Sequence, residues 1–90
     1  MMAKKYESAF DAIADTPAEA LNMRLRADMI HEIRRKVEAK GWTQKEAAER
    51  LGITQPRVSD LFRGKLSKFS LDALVNMLAA IGSDVKLKVA

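Results

Sequence analysis

Residues 43–64 read Thr43-Gln44-Lys45-Glu46-Ala47-Ala48-Glu49-Arg50-Leu51-Gly52-Ile53-Thr54-Gln55-Pro56-Arg57-Val58-Ser59-Asp60-Leu61-Phe62-Arg63-Gly64. Thr43 and Glu46 form a Thr-x-x-Glu capping box, in which each side chain satisfies a backbone N–H of the other at a helix start. Ala47, Ala48 and Leu51 supply the inner face of that helix, and the small alanines let a neighbouring helix come close. Gly52 is the left-handed stop, Ile53 plugs the turn, and Thr54 caps a second helix. Pro56 is tolerated because first-turn N–H groups have no intrahelical acceptor. Val58, Leu61 and Phe62 face inward, and Gly64 closes the element. The stretch predicts two short capped helices joined by a tight turn.

That layout is a helix-turn-helix, in which the second helix lies in the DNA major groove. The residue types agree with that placement. Gln44 opens the first helix, where free backbone N–H groups and the helix dipole favour a phosphate. Gln55 can bond adenine through both its donor and its acceptor, and Arg57 can take guanine O6 and N7 together. Further along, Ser59 suits a base or a phosphate, while Asp60 either accepts from cytosine N4 or orients Arg57. Pro56 belongs to the same surface mainly by setting where the helix begins. Thr54, Arg63, Lys65 and Lys68 suit phosphate, which supplies affinity more than sequence choice. The competing reading is that the glutamines are ordinary polar first-turn residues and the cations only a solvated face.

Outward from this stretch, Thr16, Pro17 and Glu19 mark another helix start. A long helix is expected from Pro17 to Lys40, with a break near Asn22. Ile30, Ile33 and Val37 repeat on its inner face, and Arg34, Arg35, Lys36 and Lys40 lie outside. Gly41 ends it and Trp42 follows as an apolar anchor. Ser70 caps a last helix, Leu71 to Ile81, with a stripe of Leu71, Leu74, Val75, Leu78 and Ile81, and Gly82 stops it. The tail, residues 83–90, alternates polar and apolar with Val85, Leu87 and Val89 on one side, the only strand signature in the chain. A lone strand leaves half its backbone groups unpaired, so it either pairs with a second copy at a dimer axis or frays. Residues 1–14 form an arm in which Tyr6, Phe10 and Ile13 share one helical face. That face either docks on a partner as a helix in a groove or packs back on the long helix. The division is thus an arm (1–14), a DNA-binding domain (15–82) and a dimerising strand (83–90).

Charge follows the motif. Residues 1–20 carry a net −2, residues 21–69 a net +6, and residues 70–90 balance, so the positive excess sits where a nucleic-acid footprint needs it. With 90 residues, 48% hydrophobic and no cysteine, one small domain in a reducing cytosol is expected, without a disulfide framework. No apolar run approaches the roughly 18 residues that span a bilayer, and no signal-peptide series opens the chain. Enzymatic chemistry is not expected, because there is a single histidine, His31, no Gly-rich phosphate loop and no paired carboxylates at a cleft. For the same reason no metal or cofactor is expected.

From about Ile30 to Gly82, and most specifically across Thr43–Gly64, the chain resembles helix-turn-helix regulators of the phage-repressor (Xre) type. The run Gln55 to Lys65, continued by Phe69-Ser70-Leu71-Asp72-Ala73-Leu74, looks like the small antitoxin regulators of the HigA group. The resemblance implies an all-α, lambda-repressor-like bundle of four or five helices, with Gln44 bracing the DNA backbone and the helix from Gln55 reading bases. It further implies a cytoplasmic homodimer on a near-palindromic operator, repressing its own operon, and a small basic toxin as partner of the arm. A plain repressor without a toxin, or an interaction module that binds no DNA, is the alternative. The strand-like tail departs from the all-helical repressors, which often place another helix there.

Overall fold

Thr16 sets the first helix. Its backbone is extended and its Oγ1 accepts from the Glu19 N–H at 3.1 Å, with Pro17 next in line. The Glu19 carboxylate reaches one residue further back than a capping box requires, accepting from the Asp15 N–H at 3.2 Å. The computed structural model describes residues 15–87 and 89, and in it helix α1 runs Pro17–Lys40. The break expected near Asn22 is absent, since the helix is continuous there. Asn alone lowers helix propensity by only a few tenths of a kcal/mol, and beyond Pro17 at the first position no Gly or Pro interrupts the ladder. Gly41 ends α1 at φ 67°, and the Trp42 N–H turns back to the Val37 carbonyl at 3.3 Å.

Helix α2 is Gln44–Leu51, opened by the Thr43–Glu46 box with both reciprocal bonds made, at 3.1 and 3.2 Å. Gly52 adopts φ 71° and the Ile53 N–H bonds the Ala48 carbonyl, which sends the chain directly into α3, Gln55–Phe62. A 3-10 helix, Leu66–Lys68, precedes α4, Leu71–Ala80, whose cap Ser70 accepts from the Ala73 N–H. Ile81 stands at the C-cap and not within the helix.

Helix α1 packs along α4, while α2 packs against α3, and α1 and α4 both touch this second pair. The shared core consists of Ile30, Ile33 and Val37 from α1, Ala47, Ala48 and Leu51 from α2, Val58 and Leu61 from α3, Phe69, and Leu74, Met77 and Leu78 from α4. Met77 takes the place expected of Val75, which is 38% exposed. Phe62 and Trp42 cover the core edge, half-buried.

The described residues form four α-helices, one 3-10 turn and no strand. Residues 83–87 lack the expected strand, because every neighbouring element is a helix whose backbone groups are already bonded. Val85, Leu87 and Val89 are 49%, 80% and 81% exposed. Tyr6, Phe10 and Ile13 lie outside the described residues.

Candidate nucleic-acid interface

Helix α3 buries Val58 and Leu61, and the helical period turns Pro56 and Ser59 away from them, while Gln55 stands at the first position of the helix and Arg63 at its C-cap. Gln55, Pro56 and Arg63 are exposed and Ser59 is half-buried. Thr54 occupies the N-cap position with extended backbone, yet its side chain makes no capping bond. Its hydroxyl is left facing solvent at a helix N-terminus, where donors converge. Gln44 occupies the first position of α2 and is exposed, as is Lys45 beside it. Lys45 joins the candidate set, and its place in that first turn was the available signal in the sequence.

Two of the expected base readers are held differently. The Arg57 guanidinium lies over the Phe69 ring, 4.7 Å from its centroid, and Nη2 donates to the Lys68 carbonyl at 3.2 Å. Asp60 is paired with Lys65 at 3.6 Å, which leaves it turned toward the C-terminal end of α3 and not toward Arg57. Lys68 is exposed at the end of the 3-10 helix.

Much of the basic excess is fixed by internal partners. Arg26 donates to the Leu66 carbonyl at 2.7 Å and the Phe69 carbonyl at 3.4 Å. Arg34 covers Phe62 and Arg50 covers Trp42, at 5.7 and 5.5 Å from the ring centroids, within the range of a cation–π contact. Arg35 is paired with Glu32 at 2.6 Å. That hydrogen bond, helped by the charge of Arg35, holds the Glu32 carboxyl below its ordinary pKa and raises that of Arg35. Charges over rings and carbonyls remain positive, so they contribute to the field while their positions are set by the core.

The start of α3, the first turn of α2 and the lysine-bearing loop after α3 thus each present exposed polar or cationic side chains around a packed two-helix unit. Comparison with known families matches residues 12–90 to a helix-turn-helix domain. The chain belongs to that helix-turn-helix domain family. No curated protein matches it. Among the described residues of this helix-turn-helix domain, no cluster of three or more His, Cys, Asp or Glu is placed to hold a metal ion. Among the described residues, no helix is long and apolar enough to cross a membrane. His31 is exposed on α1.

Proposed function

We propose that the protein is a sequence-specific DNA-binding transcriptional regulator and not an enzyme. The observation that carries this reading is the exposed start of α3, where Thr54, Gln55 and Pro56 present an unspent hydroxyl and a bidentate amide at a helix N-terminus. Membership in the helix-turn-helix domain family supports it. In this reading Gln55 and Ser59 contact base edges. Gln44, Lys45, Thr54, Arg63, Lys65 and Lys68 contact phosphates and fix the register. Selection from a random DNA pool tests it: an enriched motif bound by gel shift, and outcompeted poorly by scrambled duplex, is the expected result. Equal affinity for selected and scrambled DNA would rule it out.

The finer role we propose is a cytoplasmic, autoregulatory repressor acting as a homodimer on a near-palindromic operator, with the two α3 helices about 34 Å apart. The alternating Val85, Leu87 and Val89, exposed in the single chain, support a two-stranded ribbon between copies. An antitoxin role rests on the sequence of the arm, whose Tyr6, Phe10 and Ile13 would dock on a small basic toxin. Deleting residues 1–14 is expected to abolish toxin neutralisation in co-expression while sparing operator binding.

A further inference from the structure

We propose that Arg57 is a positioning residue that holds Lys68 against the DNA backbone, leaving base choice to Gln55 and Ser59. This rests on the DNA-binding reading above and assigns within it a role opposite to the one the residue type invites.

The loop after α3 has little structure of its own. Its 3-10 helix spans three residues, closed by the Lys68 N–H to the Lys65 carbonyl and the Phe69 N–H to the Leu66 carbonyl, at 3.1 and 3.2 Å. Two arginines from other elements complete it. From α1, Arg26 takes the Leu66 and Phe69 carbonyls, and from α3, Arg57 takes the Lys68 carbonyl. The Arg57 plane is held by Phe69, which is 2% exposed and packed in the core. A guanidinium stacked on a ring with a bonded carbonyl at its edge is fixed in both direction and distance. Swinging it to a base would break both contacts and uncover the Phe69 ring. Retained in place, it ties the backbone of Lys68 to the helix that enters the groove, so the exposed Lys68 ammonium travels with the reader.

The test uses the full chain and the DNA sequence it selects, with the variants Arg57→Lys, Lys68→Ala and the double change, each measured across salt concentrations. Lysine keeps the charge and loses the planar stack and the fork. Arg57→Lys and Lys68→Ala are each expected to weaken binding several-fold and to flatten the slope of log K against log salt by about one phosphate contact. The double variant should lose no more than either single one, and the selected base preferences should not move. A purely packing role would lower the melting temperature without that shared loss of slope. A second variant guards against poor folding: Arg57→Gln retains a planar donor for the Lys68 carbonyl, and its base preferences should match those of the unaltered chain. A preference shifted from guanine toward adenine at one operator position, or losses that multiply in the double variant, would overturn the proposal. An unaltered chain that selects no sequence would overturn the DNA-binding reading and this role with it.

Discussion

At the residue scale, the chemistry of a side chain and its reach are separate facts. Gln55 and Arg57 are both able to read a base edge, yet Gln55 is exposed while Arg57 is half-buried, its guanidinium held by Phe69 and the Lys68 carbonyl. Gln55→Ala is therefore expected to cost about 1–3 kcal/mol at one operator position, measured as a change in affinity for single-base operator variants. Phe69 joins the core to this contact. Replacing it with Ala should destabilise the fold by about 3–5 kcal/mol, read from denaturant unfolding. Gly52 at φ 71° has open space where a Cβ would stand, so Gly52→Ala tests conformation alone and should cost about 1 kcal/mol.

At the element scale, two threonines in the same capping position do different things. Thr43 accepts from the Glu46 N–H and completes a capping box, whereas Thr54 makes no side-chain capping bond. Thr43→Ala should lower stability by about 1 kcal/mol with operator affinity retained at temperatures where the chain is folded. Thr54→Ala should leave the melting curve nearly unchanged and weaken operator binding. The reverse pattern in thermal melts and gel shifts would show that the hydroxyl of Thr54 serves the helix and not the DNA. The 3-10 turn escapes a reading of periodicity because three residues hold no period. Its stability comes from Arg26 and Arg57, 40 and 11 residues away from the carbonyls they bond.

At the scale of the whole molecule, the four helices enclose a core, and among the described residues of the tail those from 84 to 87 pair with no strand. Deleting residues 84–90 keeps the Ser83 N–H on the Leu78 carbonyl and should convert a dimer to a monomer in light scattering. Operator affinity should fall at the same time, because each half-site then binds alone. A dimer that survives the deletion would remove the ribbon. The helix boundaries were legible beforehand, since caps, glycine stops and the spacing of Ile30, Ile33 and Val37 are local signals that act within one turn of the chain. The helix-turn-helix was legible for the same reason, as its two capped helices and turn lie in 22 consecutive residues, 43–64. What only the tertiary structure decided was which cations are free to reach a partner, that Met77 and not Val75 closes the core, and that Phe69 captures Arg57. Each depends on which surfaces meet across the bundle, and distance along the chain carries no information about that.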